Sequence, residues 1–293
     1  MTTSADVASG KGATDENFPV ASHLIAKKHR PAVMAFYDFV RAADDVADNA
    51  SLPSEQKLEL LDRMEASLLG RADSEAVARP LRAILDRHKL SPQHALDLLA
   101  AFKLDCTKNR TSDWADLIHY CSLSAMPVGR YVLDVHGESQ ATWAASDAVC
   151  AALQVINHIQ DCGKDYRNIN RVYIPDDVLA RHGVPVEALG EPKASPALRA
   201  VLRELAERTL GLLRDGSALP RQVADFRLGL ETAVIIGLAE HLTRGLIGRD
   251  PLSEKVHHGK AAFAGIAAVA AAKTALGRLM RPIAAKPAPA RSS

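Results

Sequence analysis

The residues of this 293-residue chain best suited to chemistry are two sets of acids that recur at helical spacing. In AFYDFVRAADDVADN, Tyr37, Arg41, Asp44 and Asp48 stand at offsets 0, 4, 7 and 11, with Asp45 just beside them. At about 100° per residue these positions form one narrow stripe of a helix. In LQVINHIQDCGKD, Gln154, Asn157, Asp161 and Asp165 repeat the pattern at offsets 0, 3, 7 and 11. The other faces carry Phe36, Phe39, Val40 and Val46 in the first segment and Val155, Ile156 and Ile159 in the second, so both helices are of the kind that packs into a core. A single acidic stripe reads equally well as a solvated face. Two of them on apolar helices weigh against that reading.

Buried carboxylate stripes that face each other repel strongly in a low dielectric unless cations lie between them. Carboxylate, amide and water oxygens suit a hard ion, and Mg²⁺ commonly binds through one or two carboxylates together with a substrate phosphate. A diphosphate is the expected third party, made a better leaving group because the charge that develops as its C–O bond breaks is absorbed. The carbocation left behind needs a dry, apolar cavity. HYCSLSAMPVGRYVLDVHG offers one wall for it, since Tyr120, Ser124, Val128 and Tyr131 align on a helix that Pro127 and Gly129 are expected to kink. An ordinary core helix would show the same alignment.

The elements that must position these residues are helical. Apolar residues make up 47% of the chain and aromatics only 4%, so Ala, Leu, Val and Ile build the interior, at three- and four-residue spacing in almost every window. The chain is read as all-α and as a single domain over 16–282, with 1–15 and 283–293 expected to be disordered. Breaks at Pro31, Pro53, Pro80, Pro92, Gly137, near Pro175, from Gly183 to Pro196, and at Pro220 and Pro251 divide it into roughly ten helices. The stretch His182 to Pro196 is the longest irregular one.

Thirty-six Lys and Arg against 35 Asp and Glu leave no overall field to attract nucleic acid, and no nucleic-acid partner is expected. Cys106, Cys121, Cys150 and Cys162 include no CxxC pair and follow no apparent signal peptide, which reads as reduced thiols in the cytoplasm. Ala261 to Ala272 is too short for the roughly 20 residues of a spanning helix. The eleven His form no HExxH, His257 and His258 read as surface residues, and zinc is not indicated.

Taken together, DDVAD at Asp44 to Asp48, QVINHIQDCGKD at Gln154 to Asp165 and the following RVYIP at Arg171 to Pro175 resemble the squalene/phytoene synthase family over roughly residues 16 to 250. The resemblance implies an isoprenoid-synthase-type helical bundle around a central cavity. ENFPVASHLI at Glu16 to Ile25, FKLDCTKNR at Phe102 to Arg110 and SAMPVGR at Ser124 to Arg130 are similar to its bacterial hopanoid branch. That branch ionises presqualene diphosphate and lets water capture the cation as hydroxysqualene, so Mg²⁺ and no NADPH is expected.

By the same resemblance Asp44, Asp45, Asp48, Asp161 and Asp165 arrange the metal, with Asn157 and Gln154 supporting the second site. Arg41, Lys108, Arg110, Arg171 and Tyr173 meet diphosphate oxygens. Tyr37, Tyr120, Ser124 and Val128 complete the substrate contacts. Where phytoene and presqualene diphosphate synthases read close to RDVGED, this chain reads QDCGKD, with Gln160 in place of a base and Lys164 in place of an acid. That departure favours a single diphosphate over two. The alternatives are head-to-head condensation of two prenyl diphosphates to presqualene diphosphate or phytoene, and a non-catalytic helical assembly factor. A C30 product has to leave into lipid, and Lys260, Lys273, Arg278 and Arg281 flank an Ala-rich tail containing Phe263, Ile266 and Val269, so a peripheral contact at the inner face of the membrane is one expectation and a helix that closes the core the other. Association with the enzymes that supply presqualene diphosphate and reduce hydroxysqualene is a further expectation.

Overall fold

The structure, a computed structural model, describes residues 2–7, 25–257 and 259–279. These contain twelve α-helical segments, four 3₁₀ turns and no strand, so the all-α reading holds. The helices are α1 (Arg30–Asp48), α2 (Ser54–Leu68), α3 (Ala78–His88), α4 (Gln93–Asp105), α5 (Trp114–Ser124), α6 (Met126–His136), α7 (Trp143–Ile169), α8 (Asp176–Arg181), α9 (Pro196–Asp215), α10 (Leu219–Gln222), α11 (Phe226–Gly248) and α12 (Lys260–Leu279).

Local chemistry sets many of these ends. Proline sits in the first turn of α1, α6, α9 and α10, where its missing N–H costs nothing. Pro31 therefore starts a helix instead of breaking one. Asp113, Ser195 and Asp225 cap α5, α9 and α11 by accepting hydrogen bonds from the free amides of the first turn. Gly137, at φ 71°, ends α6 in the left-handed region that glycine enters without strain.

The kink expected at Pro127 and Gly129 is a full break. Ala125, at φ −129° and ψ −46°, separates α5 from α6, because Pro127 has no N–H to donate to the preceding turn and its ring crowds the carbonyl there. Gly129 serves close packing instead. A Cβ there would lie 2.4 Å from Ser146 Oγ and 2.6 Å from Cys150 Sγ on α7.

α7, 27 residues and about 40 Å long, is the axis of the molecule. It packs against α5, α6, α9 and α11, and its residues Ile156 and Ile159 are fully buried with Leu198, Leu205 and Ala239 in the largest core. A second core joins α1 to α4 through Phe39, Leu61, Met64, Leu81 and Leu99. The two acidic motifs thus ride on the two helices anchored most deeply in separate halves of the core.

One segment differs from expectation. Ser4–Val7, within the stretch expected to be disordered, forms a 3₁₀ turn: the Ser4 amide and hydroxyl donate to Glu75 Oε2 at 2.9 and 2.7 Å. Residues 8–15 and 283–293 lie outside the described residues, as does ENFPVASHLI apart from Ile25. The stretch from His182 to Pro196 is held by a 3₁₀ turn at Val186–Gly190, by buried Leu189, and by Asp250 Oδ2 accepting from the Ala194 amide at 3.0 Å.

Candidate active site

A cavity of about 460 Å³ opens between α1, α4, α5, α6, α7 and the extended segment after α7. Tyr37, Arg41, Asp44, Asp48, Tyr120, Ser124, Val128, Gln154, Asn157, Asp161, Asp165, Arg171 and Tyr173 all line it. α1 and α7 therefore turn their acidic stripes to one shared space.

Five carboxylates, those of Asp44, Asp48, Asp105, Asp161 and Asp165, meet only two guanidinium groups, of Arg41 and Arg171, in this wall. The imbalance shows in their protonation. Burial, reinforced by the Asp48 carboxylate and opposed by Arg41, pushes Asp44 up to about 7. Burial and the neighbouring Asp161 push Asp165 to about 7, with Lys164 opposing. Acids that hold protons for want of counter-charge, all offering hard oxygen donors, fit a divalent cation of the Mg²⁺ type.

Asp45 does not line the cavity. It lies on the buried flank of α1, where its Oδ1 pairs with Arg41 Nη2 at 2.6 Å, while Arg41 Nη1 reaches Asp44 at 2.9 Å. One guanidinium fork thus spans both aspartates, and Asp45 aims Arg41 at the cavity in place of facing it as a ligand.

Lys108 and Arg110 also stay outside this cavity. Lys108 is ion-paired with Asp116. Arg110 donates from Nη1 to the Asn170 carbonyl at 2.7 Å and from Nη2 to its side-chain oxygen at 2.8 Å. Asn170, in the left-handed region at φ 52°, ends α7 and turns the chain. The Val172 amide then donates to the Asn109 carbonyl at 2.9 Å, which lays Arg171 to Tyr173 along 109–111. Geometry moves Arg110 from the diphosphate contacts expected of it to the frame that presents Arg171.

Two residues that sequence reasoning missed stand at the centre of the site. Asp105, buried at the end of α4, accepts from the Tyr120 hydroxyl at 2.7 Å and the Tyr173 hydroxyl at 2.9 Å, and its Oδ1 lies 3.6 Å from Arg171 Nε. Burial raises it to about 6, against the pull of Arg171 and the two tyrosines. His158 stacks on Tyr173 with ring centroids 3.7 Å apart, and burial holds it down at about 3, a neutral imidazole. Spacing carried a signal for both. Asp105 follows Leu98 and Phe102 at 7 and 3 residues, an acid on an apolar stripe, and His158 fits the offsets of Gln154, Asp161 and Asp165 as well as Asn157 does.

On the far side of Tyr37, Val40 and Val128, which line both spaces, a second cavity of about 300 Å³ lies between α1, α6, α7 and α11. Its wall is mostly aliphatic and aromatic, with Val33, Phe36, Leu133, Val149, Leu153 and Ile235 among its residues. Tyr131, expected on the wall of a dry, apolar cavity, lines this one, stacked on Phe36 at 4.0 Å with its hydroxyl donating to the Ala32 carbonyl. A polar, acid-rich chamber thus lies beside an apolar one, with Tyr37, Val40 and Val128 in the wall of both, an arrangement suited to a charged head and a long hydrocarbon.

Comparison with known proteins agrees with this geometry. The chain is 56% identical over 257 residues to a hydroxysqualene synthase of Rhodopseudomonas palustris, covering 88% of each chain. It is 51% identical over 270 residues to a hydroxysqualene synthase of Zymomonas mobilis, covering 92% of this chain and 91% of the relative. Among solved structures, a squalene synthase of Alicyclobacillus acidocaldarius superposes with a TM-score of 0.69 at 29% identity, over 77% of this chain and 85% of that one. The squalene/phytoene synthase family matches residues 12–262. With that match over most of its length and the acidic stripes of α1 and α7 facing one cavity, the chain belongs to the squalene/phytoene synthase family of enzymes that act on prenyl diphosphates.

Proposed function

We propose that this protein breaks the C–O bond of presqualene diphosphate with the help of Mg²⁺ and lets water capture the cation, giving hydroxysqualene and diphosphate. The observation that carries the reading is the pair of adjoining cavities, one acid-rich and the other apolar. The names of the relatives at 51 and 56% identity point the same way.

In this reading Asp44, Asp48, Asp161 and Asp165, with Asn157 and Gln154 beside them, hold the metal. Bound there, it supplies Lewis-acid stabilisation of the leaving diphosphate. Arg41 and Arg171 meet the diphosphate oxygens, and their planar forks suit bidentate pairing. Tyr173, braced by Asp105 and Tyr120, offers its ring and hydroxyl beside Arg171. The apolar cavity takes the hydrocarbon and keeps bulk water from the cation. Gln160, whose amide donates to the Val256 carbonyl at 2.7 Å, is occupied in tying α7 to the segment before α12, which supports one diphosphate over two.

Peripheral membrane contact belongs to the same reading. No described helix is long and apolar enough to cross a membrane. α12 lies against α11 and turns Phe263, Val269 and Leu276 outward, each at least 40% exposed. An apolar outer face supports delivery of the product into lipid, and to an enzyme there that reduces hydroxysqualene.

Incubation of presqualene diphosphate with Mg²⁺ in ¹⁸O-labelled water tests the chemistry. The expected product is a labelled alcohol, with rate and product unchanged by NADPH. An unlabelled alcohol, squalene formed only with NADPH, or consumption of farnesyl diphosphate to presqualene diphosphate would overturn it.

A further inference from the structure

Outside the acid-rich cavity, the fold brings two histidines and an aspartate to one point. His29, His136 and Asp225 are each half-buried, and a ring nitrogen of each imidazole and a carboxylate oxygen of the aspartate all lie within 4.8 Å of one another. They come from three elements: the residue before α1, the last residue of α6 and the residue before α11. No spacing motif joins positions 29, 136 and 225, so only folding assembles them. The imidazole rings stand 4.1 Å apart between centroids, tilted by 34°. Among the described residues no hydrogen bond or ion pair joins any two of the three side chains, so the cluster is not an ordinary His–Asp pair.

The ligands are held from behind. His136 Nδ1 lies 2.8 Å from the Val132 carbonyl. A carbonyl only accepts, so Nδ1 carries the proton and Nε2 keeps its lone pair for a metal. Asp225 Oδ1 accepts from the Arg227 and Leu228 amides at 2.8 and 3.1 Å, which leaves Oδ2 to ligate. Two residues after His136, Glu138 accepts from the Ala224 and Asp225 amides, each at 2.7 Å, and fixes the start of α11 against the end of α6. The His29 carbonyl accepts from the Ala32 and Val33 amides, both at 3.1 Å, which anchors its backbone to the first turn of α1. Two imidazole nitrogens with one carboxylate oxygen are the donor set of Zn²⁺ and its transition-metal neighbours, whereas Mg²⁺ prefers oxygen throughout. Bonds of about 2.0–2.2 Å put tetrahedral ligands about 3.3 Å apart, so small turns of the rings and the carboxylate close the cluster on one ion.

We propose that His29, His136 and Asp225 bind one Zn²⁺, or a transition ion of the same class, with water in the fourth place. The site is separate from the acid-rich cavity. Along α1, His29 is followed by Val33 and Phe36 of the apolar cavity, then by Tyr37 and Val40 of the shared wall, and only then by Asp44. From His29 to Asp44 the chain climbs about 22 Å at 1.5 Å per residue. On α6 the order runs from Val128 of the shared wall through Val132 and Leu133 of the apolar cavity to His136. The ion therefore sits at the end of the apolar cavity away from the acids, where the starts of α1 and α11 meet the end of α6. Its role is to tie these three helix ends together, and no bond of the substrate is made or broken there.

Titration of the full-length protein, stripped of metal, with Zn²⁺ in excess Mg²⁺ and against a chromophoric chelator tests this without any measurement of activity. The wild type is expected to take up one Zn²⁺ per chain, and its Tm to rise as Zn²⁺ is added. His29→Ala and His136→Ala are each expected to weaken uptake about 100-fold, the upper end of what loss of even an outer partner costs a metal site. Asp225→Asn keeps an oxygen to cap α11 and is expected to lose about 10-fold. His29→Ala removes a half-buried ring ahead of α1, so it decides the matter if His136→Ala does not fold. Asp161→Asn, in the acid-rich cavity, is expected to leave uptake unchanged. No uptake by the wild type in excess Mg²⁺, wild-type uptake by folded His29→Ala or His136→Ala, or uptake lost in Asp161→Asn would overturn the inference, and each outcome leaves the proposed function standing.

Discussion

Arg171 Nη1 lies 2.8 Å from Asp48 Oδ1 across 123 residues of sequence, joining the end of one acidic motif to the segment that follows the other. The same guanidinium donates from Nη2 to the Asp105 carbonyl at 3.1 Å and is almost wholly buried. Burial opposes its charge, but the carboxylates of Asp105 and Asp48 and the phenol oxygen of Tyr173 outweigh that and hold it firmly. Arg171→Lys keeps a charge but loses the fork. The rate is expected to fall roughly 30-fold, the worth of a charge-assisted hydrogen bond of about 2 kcal/mol, with the helical circular dichroism unchanged. A folded variant at wild-type rate would take Arg171 out of the site.

Asp44→Asn and Asp161→Asn each remove one carboxylate from the facing stripes. Steady-state turnover is expected to drop at least about 100-fold in each, the scale of losing one preorganised electrostatic partner. Wild-type rates in the folded variants would make the stripes structural.

Removal of divalent metal is expected to abolish turnover, and readdition of Mg²⁺ to restore it, because the five carboxylates of the cavity meet only two guanidinium groups. Full activity in excess EDTA would contradict this.

The raised acids give the metal-free protein a distinctive pH dependence. Asp44 and Asp165 rise from an ordinary 3.8 to about 7 on folding, so in that window the native state binds more protons than the unfolded one. Their relative stabilisation is complete below about 4 and is lost as pH rises through 7. The Tm of the metal-free protein is expected to fall between pH 5 and pH 8 on their account. Saturating Mg²⁺ removes the need for those protons and flattens that part of the profile. Scanning calorimetry with and without metal measures both, and parallel profiles would count against a metal between these carboxylates.

Gly129→Ala tests the seam between α6 and α7. The added methyl would meet Ser146 Oγ at 2.4 Å and Cys150 Sγ at 2.6 Å, so these two side chains must swing aside or one helix must shift. A loss of about 1–3 kcal/mol is expected, read as a lower urea midpoint at unchanged slope. No loss would mean that the seam relaxes freely.

Sequence alone determined the helical class, the two stripes and the chemistry they call for, because these depend on local periodicity: residues 3, 4, 7 and 11 apart share a helix face whatever the rest of the chain does. It also placed Tyr37, Arg41, Tyr120, Ser124, Val128 and Tyr173 on the wall that the structure assembles. Only the tertiary structure decided which charged groups turn inward. Asp45 and Asp44 are adjacent in sequence, yet 100° of helix rotation sends one into the core flank and the other into the cavity. Arg110 and Arg171 look alike in sequence, and the left-handed turn at Asn170 spends the first on the frame and presents the second. Asp105 and His158 stand on helix stripes that spacing makes visible, but a stripe does not say what will meet it. Their roles arise from contacts with Tyr120 and Tyr173, residues brought beside them by the packing of α4, α5 and α7, and no local pattern encodes a meeting such as that of Asp105 with Tyr173 across 68 residues of chain.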